Sequence, residues 1–125
     1  MISKVYENKD GSYLRVFDFS KIPFEVKRMF VISSENNEIC QRGAHAHYKC
    51  HQVLTCMQGQ VEVGYENAES KGAKILRPGE SFFHGNMEWL NITFTEKNSM
   101  LLSLCSEKYN EEDYIRDYKV FKKLL

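Results

Sequence analysis

Short runs in which hydrophobic and polar residues alternate make up most of the chain up to residue 105. Many of these residues are β-branched or aromatic, and clusters of Gly, Pro, Asp and Ser separate the runs, which is typical of strands joined by turns. The pattern predicts strands at residues 13–19, 24–32, 51–57, 61–65, 74–76, 81–84, 89–94 and 100–105, with loops at 33–40 and 67–72. Many short strands of this kind predict an all-β barrel or sandwich.

The period of the hydrophobic residues changes in the last part of the chain. Tyr114, Tyr118, Phe121 and Leu125 recur every three or four positions, acidic residues open the segment and lysines close it. This spacing predicts one C-terminal helix over residues 111–125 that packs against the strands. Because no repeat, linker or low-complexity segment interrupts the pattern, residues 1–125 are expected to form a single domain.

The charge balance and the cysteines narrow the range of partners and compartments. Seventeen basic residues offset seventeen acidic ones, so the chain offers no excess positive field for nucleic acid, although a few arginines suffice for a small anionic ligand. The N-terminus turns polar at once, and no apolar stretch approaches the ~20 residues that cross a bilayer, so neither a leader nor a membrane segment is expected. The cysteines lack C-x-x-C spacing, which favours reduced thiols in a cytoplasmic protein; they are Cys40, Cys50, Cys56 and Cys105.

The segment His45-Ala46-His47 carries the most distinctive chemistry of the chain. On a strand, residues two apart point to the same side, so both imidazoles can enter one cavity. Gln52 and Gly59 follow at the spacing of the first cupin motif, in which two histidines precede an acidic residue and a glycine. The order therefore resembles a cupin in which Gln52 stands at the acidic position.

The same residues do not predict a metal site. Leu90 stands where metal-binding cupins present a further histidine, and two histidines alone hold a metal poorly. A metal-dependent cupin remains an alternative if His84 or His51 takes a ligand position. His51 alternates with Gln52, however, and is expected to face away from the cavity. A purely structural role for the histidine pair is a further alternative.

Several stretches along the chain resemble one enzyme family. They are residues 42–47 (RGAHAH), 51–54 (HQVL), 22–28 (IPFEVKR), Trp89 and the tail 106–118 (SEKYNEEDYIRDY). In this order they resemble the dTDP-4-keto-6-deoxyglucose 3,4-ketoisomerases, WxcM-like cupins of deoxyamino-sugar biosynthesis. The resemblance extends over nearly the whole chain.

The resemblance implies a cupin jelly-roll β-barrel with a short C-terminal helix, assembled as a homodimer in the cytoplasm, without a metal or a cofactor. It implies conversion of dTDP-4-keto-6-deoxy-D-glucose to a dTDP-3-keto-6-deoxy-hexose. That product supplies 3-amino-3,6-dideoxy sugars for surface polysaccharide such as the O-antigen of lipopolysaccharide. Neither nucleic acid nor a membrane is an expected partner, and a non-catalytic sugar-nucleotide-binding cupin is the alternative from a different class.

The implied reaction assigns roles to residues of the chain. Moving the carbonyl from C4 to C3 requires removal of the C3 proton, an enediol and reprotonation at C4, which suits an imidazole near neutral pH. His45 is expected to be the base, and His47 is expected to relay the proton or to orient His45. The expected substrate-binding residues are Arg42 for the enediolate or the diphosphate, Arg28 for the diphosphate, Gln52 beside the histidines, and Trp89 at the sugar or thymine site or else in the core.

The chain departs from the family pattern at several positions. Leu90-Asn91 stands where the family usually has His-Glu, and Asp10 stands where relatives often carry a larger side chain. Phe30 and Val31 stand where the family carries tyrosines, one of which helps to shuttle protons, and neither side chain can carry a proton. The expectation is that His84, His47 or water rebuilds the proton shuttle, or that the reaction has changed.

Overall fold

The computed structural model describes residues 2–34 and 40–125, which form mostly β-strands. In chain order the strands are β1 (Ser3–Glu7), β2 (Tyr13–Phe17), β3 (Arg28–Ser34), β4 (Cys40–His47), β5 (Gln52–Gln58), β6 (Val61–Glu66), β7 (Lys71–Leu76), β8 (Ser81–His84), β9 (Trp89–Phe94), β10 (Ser99–Cys105) and β11 (Tyr114–Ile115). A single α-helix within the described ranges, α1 (Tyr118–Leu124), follows the last strand. Short 3-10 turns lie at Phe19–Lys21 and Glu111–Asp113.

Two antiparallel sheets face each other and bury the core between them. One sheet has the strand order β3-β10-β5-β8 and the other the order β11-β4-β9-β6-β7, while β1 and β2 form a separate hairpin. Hydrophobic residues from both sheets meet in one buried cluster, formed by Leu54, Cys56, Val61, Val63, Leu76, Leu90, Ile92, Phe94 and Leu101. The expected all-β jelly roll with a short C-terminal helix is therefore confirmed, as two facing sheets rather than a closed barrel.

A β-bulge in β4 brings Arg42 and His45 to the same side of the sheet. Arg42 pairs with Ile92 and His45 with Leu90, so β4 has one more residue than β9 between these two pairs. Gly43 lies within the bulge with a φ of +74°, a left-handed backbone conformation that favours glycine. In a regular strand, residues three apart face opposite sides, and the extra residue cancels this alternation.

The C-terminal segment differs from the helix predicted over residues 111–125. Only Tyr118–Leu124 is α-helical. The preceding residues form a 3-10 turn and then β11, which adds an edge strand to β4. The helical spacing is misleading because Tyr114 belongs to the strand, while Phe121 packs against Trp89 from the helix.

Several strand boundaries also differ from the predicted ones. β1 has no counterpart in the prediction, and β7 begins at Lys71, inside the predicted loop. The strand predicted at residues 24–32 begins only at Arg28, because Phe24 and Val26 pack with Ile22 on the hydrophobic cluster that covers one face of the β3-β10-β5-β8 sheet. Most of the loop predicted at residues 33–40 lies outside the described residues.

Two further findings concern the membrane and the cysteines. Within the described ranges, no helix is long and apolar enough to cross a membrane. Cys50, Cys56 and Cys105 are buried free thiols. The side chain of Cys40 lies outside the described part of the protein.

Candidate active site

A cavity of about 530 Å³ lies between strands of the two sheets and reaches the C-terminal segment. Its wall combines apolar side chains with polar ones, which are Arg28, Ser33, Arg42, His45, Gln52, Tyr114 and Arg116. Four of the six residues predicted to form a site therefore line one cavity, namely Arg28, Arg42, His45 and Gln52. His47 is enclosed beside His45, and Trp89 lies elsewhere.

His45 contributes a ring nitrogen that the protein leaves unpaired. Its Nε2 atom is buried and has no hydrogen-bond partner among the described residues. The pKa of His45 is lowered to about 3, first by burial and then by the neighbouring His47 and His84. The positive charges of Arg116 and Arg28 act in the same direction. At neutral pH the ring is therefore uncharged, and one of its nitrogens can accept a proton.

His47 is fully buried beside His45, with the two ring centroids 4.8 Å apart in an edge-to-face arrangement. Its Nδ1 atom lies 3.2 Å from a carboxylate oxygen of Asp113, to which it donates a hydrogen bond. In the neutral ring Nε2 is then unprotonated, and no described residue is its hydrogen-bond partner. Burial lowers the pKa of His47, and the charge and hydrogen bond of Asp113 oppose this effect only in part.

Asp113 forms hydrogen bonds with the turn that follows β4 and also with His47. Its Oδ1 accepts a hydrogen bond from the backbone amide of Lys49 at 2.8 Å, and its Oδ2 accepts one from that of Cys50 at 3.1 Å. Asp113 is not among the predicted site residues, because the helical spacing predicts that residue 113 lies within a helix. The available signal was Asn110, whose side chain caps a separate 3-10 turn that ends at Asp113.

Gln52 and His84 lie opposite each other on β5 and β8. The Nε2 atom of His84 donates to the carbonyl oxygen of Glu88 at 2.7 Å, and its Nδ1 atom lies 3.3 Å from the side-chain amide of Gln52. Burial is the main cause that lowers the pKa of His84 to about 4, so this ring is also uncharged at neutral pH. Because both nitrogens have partners inside the protein, the expectation that His84 serves as a proton shuttle or metal ligand is not supported.

The described residues do not assemble the four-ligand set of a metal-binding cupin. His51 stacks on two phenylalanine rings away from the cavity, and its Nδ1 accepts a hydrogen bond from the amide of Asn86, which confirms its predicted orientation. His47, Cys50 and Asp113 place potential ligand atoms within 4.8 Å of one another. The oxygens of Asp113, however, already accept three hydrogen bonds.

Two arginines and a tyrosine complete the polar wall of the cavity. Arg28 lies near the rings of Phe30 and Tyr109, with its guanidinium carbon 5.7 Å and 5.6 Å from their centroids. Burial alone would lower the pKa of Arg28, but its hydrogen bond to Tyr114 raises it, and the net shift is upward. The guanidinium carbon of Arg116 lies 4.3 Å from the ring centroid of Tyr114. The sequence analysis did not single out Tyr114 or Arg116 as site residues, because it assigned both to the helix.

Trp89 lies outside the cavity. It is 7% exposed and packs against Tyr118 and Phe121 of α1, with ring centroids 5.3 Å and 5.5 Å away. Of the two roles considered for Trp89, the position in this chain supports the core aromatic and not the ligand at the sugar or thymine site.

A two-sheet jelly roll with a histidine pair beside an arginine-lined cavity defines a cupin-type protein with a site for an anionic ligand. The family model FdtA (WxcM-like, C-terminal) matches residues 2–125 of this fold. The chain belongs to that family.

Proteins of known structure or activity resemble the chain over most of its length. The TDP-4-oxo-6-deoxy-alpha-D-glucose-3,4-oxoisomerase of Aneurinibacillus thermoaerophilus is 31% identical over 116 residues, which cover 92% of this chain and 83% of that protein. The fold also matches the 3,4-ketoisomerase QdtA from Thermoanaerobacterium thermosaccharolyticum, whose histidine-to-asparagine mutant was solved in complex with TDP-4-keto-6-deoxyglucose. This structure has a TM-score of 0.87 at 30% identity, and the match covers 98% of this chain and 88% of QdtA. A 3,4-ketoisomerase from Helicobacter canadensis has a TM-score of 0.85 at 33% identity, with coverages of 98% and 92%.

Proposed function

We propose that the chain is a sugar-nucleotide 3,4-ketoisomerase that converts TDP-4-keto-6-deoxyglucose to a TDP-3-keto-6-deoxy-hexose. The observation that carries this proposal is the pair His45 and His47 at a cavity lined by three arginines. The Nε2 atoms of both histidines have no hydrogen-bond partner in the part of the chain that the structure describes. The activities of the relatives described above support the same reaction.

In this reaction the histidine pair moves a proton between two carbon atoms. The C3 proton is acidic because the C4 carbonyl stabilises the resulting enediolate, and a neutral imidazole is a suitable base at physiological pH. His45 lines the cavity and is the base that takes the proton from C3 and returns it to C4. His47, held by Asp113, packs edge-on against His45 and positions that ring.

The arginines bind the diphosphate and stabilise the enediolate. Arg28 and Arg116 reach the cavity from β3 and from the C-terminal segment, and Arg42 reaches it from the bulge in β4. The planar guanidinium group matches the geometry of phosphate oxygens. Arg28 and Arg42 supply the positive charge for the diphosphate, while Arg116 is also paired with Glu111 at 2.6 Å. Gln52 lies in the same wall, where its side-chain amide contacts His84 and Cys105.

The enzyme acts as a cytoplasmic homodimer with one domain per chain. Apolar side chains exposed on β3 and on the β1–β2 hairpin support an interface at this surface; they are Met29 (61%), Val31 (49%), Tyr13 (69%) and Leu14 (54%). The 3-keto product is a substrate for transamination, which yields 3-amino-3,6-dideoxy sugars for surface polysaccharide.

Proton NMR of the purified protein with TDP-4-keto-6-deoxyglucose in deuterated water tests the proposal. We expect loss of the C3 proton signal together with a new 3-keto species that carries deuterium at C4. The His45→Asn variant, which keeps a polar side chain but lacks the imidazole, serves as the inactive control. If the wild-type protein binds TDP but neither exchanges the C3 proton nor forms the 3-keto species, the chain is a sugar-nucleotide-binding protein and the proposed activity is wrong.

A further inference from the structure

The proposed isomerisation requires two proton movements, and the histidine base accounts for only one of them. One proton moves from C3 to C4. A second proton must leave the C3 hydroxyl, which becomes the carbonyl, while another is added to the C4 oxygen, which becomes the hydroxyl. A group that can both donate and accept a proton near the two oxygens is therefore needed. The inference below rests on the proposed function and assigns this group.

The described part of the cavity wall contains two side chains of the types that serve in general acid–base catalysis, the imidazole of His45 and the phenol of Tyr114. The three arginines remain protonated in proteins and cannot act as bases. Ser33 also lines the cavity, but a serine hydroxyl is a much weaker acid than a phenol. By its chemistry, Tyr114 is the candidate for proton transfer between oxygens.

The position of Tyr114 suits this role. Tyr114 pairs with His47 across β11 and β4, and its ring centroid lies 4.4 Å from that of His47 and 5.1 Å from that of His45. The tyrosine therefore lies next to the pair that handles the carbon-bound proton. A sugar whose C3 contacts His45 has its C3 and C4 oxygens within the same small region of the cavity.

The charges around Tyr114 suit the role as well. Arg28 lies in the same wall of the cavity, and its interaction with the Tyr114 side chain raises the pKa of Arg28. An arginine can only donate hydrogen bonds, so the phenol proton remains available for another acceptor. Arg116 lies over the other part of the ring, 4.3 Å from its centroid. The positive charge of Arg28 therefore stabilises negative charge that develops between the phenol and the sugar oxygens, whereas the charge of Arg116 is already paired with Glu111 at 2.6 Å.

We propose that the Tyr114 hydroxyl is a catalytic group that carries the proton from the C3 oxygen to the C4 oxygen. As His45 removes the C3 proton, Tyr114 donates its proton to the C4 oxygen, and a neutral enediol forms. The Tyr114 phenolate then removes the proton of the C3 hydroxyl while protonated His45 returns its proton to C4. Both residues regain their starting protonation states, and no oxidant, reductant or other co-reactant is needed.

The Tyr114→Phe variant tests this proposal because it keeps the ring and removes only the hydroxyl. We expect isomerisation of TDP-4-keto-6-deoxyglucose to fall by about 10²–10⁴-fold, the usual contribution of a general acid–base group. Exchange of the C3 proton in deuterated water is expected to fall less, because His45 is intact, so the ratio of exchange to isomerisation rises. TDP affinity and the thermal unfolding midpoint are expected to stay near the wild-type values.

Tyr118→Phe is the matched control, because its hydroxyl donates to Glu66 on the far side of Trp89 and does not line the cavity. Isomerisation by Tyr114→Phe within about three-fold of wild type, or an equal fall in exchange and isomerisation, overturns the proposal. Failure of the proposed function itself is distinguishable, because wild-type protein then shows neither exchange nor isomerisation.

A second measurement avoids the risk that the phenylalanine variant fails to fold. Replacement of Tyr114 by 3-fluorotyrosine makes the phenol more acidic with almost no change in shape. We expect the basic limb of the kcat–pH profile to move to lower pH, as for a group whose proton is donated in the reaction. A purely structural tyrosine leaves this limb in place, and that result also overturns the proposal.

Discussion

Asp113→Asn is the substitution that most directly tests how the C-terminal segment supports the histidine pair. The two carboxylate oxygens of Asp113 accept three hydrogen bonds, from the Nδ1 of His47 and from the backbone amides of Lys49 and Cys50, at distances of 2.8–3.2 Å. An asparagine has one acceptor oxygen and one donor amide. Whichever way it turns, its NH₂ group faces a donor that the carboxylate had satisfied.

The size of the effect follows from which donor loses its acceptor. If the NH₂ group faces Cys50, a buried backbone amide is left unpaired, at a cost of about 1–3 kcal/mol in the free energy of unfolding. The ring of His47 then accepts a hydrogen bond at Nδ1 and carries its proton on Nε2, the opposite of the wild-type tautomer. If the NH₂ group faces Lys49, the amide that loses its acceptor is exposed, but the loss of the carboxylate charge still lowers the pKa of His47.

We therefore expect Asp113→Asn to unfold about 2 kcal/mol more easily and to lose about 10²–10⁴-fold in kcat. Urea unfolding measures the change in the free energy of unfolding, and steady-state kinetics with TDP-4-keto-6-deoxyglucose measure the change in kcat. ¹⁵N NMR of the ring nitrogens reports the tautomer of His47. Asp117→Asn is the matched control, because Asp117 caps α1 and asparagine is an equally good cap. Wild-type kcat in Asp113→Asn, with an unchanged tautomer, would show that Asp113 does not position the base.

Two further predictions concern acid stability and nucleotide binding. His45 and His84 have folded-state pKa values of about 3 and about 4, below the ordinary value of 6.5. The unfolded chain therefore binds protons at a higher pH than the folded protein does. As a result, the free energy of unfolding decreases as the pH falls from 6.5 towards 4. At about pH 5 the free energy of unfolding is expected to be lower by about 2 kcal/mol for each histidine. Urea unfolding at about pH 5 and at about pH 7.5 measures this difference. An equal free energy of unfolding at the two pH values would contradict the reasoning. Arg28→Lys removes the forked guanidinium donor and its contact with Phe30. We expect the affinity for TDP, measured by calorimetry, to fall about ten-fold or more. Unchanged affinity would show that Arg28 does not bind the diphosphate.

The sequence predicted the strands well where local pattern reflects burial. Residues 81–84 and 89–94 are strands with the predicted bounds, because each is a short run rich in residues that favour strands. The histidine pair was also predictable, since residues two apart on a strand share a face. The bulge at Gly43 could not be predicted, because the register of β4 against β9 depends on a partner strand that lies far along the chain.

The site residues that could not be predicted from the sequence were missed for one shared reason. Asp113, Tyr114 and Arg116 all come from the short segment that pairs with β4, and Asp113 reaches His47 across 66 residues of sequence. A local window over residues 111–125 contains a helical spacing of hydrophobic residues and no trace of this pairing. The wall of the site is therefore completed by a long-range contact, which pattern analysis of a single segment does not detect.

The position of the arginines explains how the same cavity both binds the substrate and prepares the base. Burial is the main cause that lowers the pKa of His45 to about 3, His47 and His84 come next, and Arg116 and Arg28 add smaller contributions in the same direction. On the proposed function, a diphosphate bound beside these arginines would reduce their contribution to lowering the pKa of His45. Binding energy from the non-reacting diphosphate is then used to increase the basicity of the group that removes the C3 proton. On this reasoning the arginines contribute to catalysis as well as to affinity.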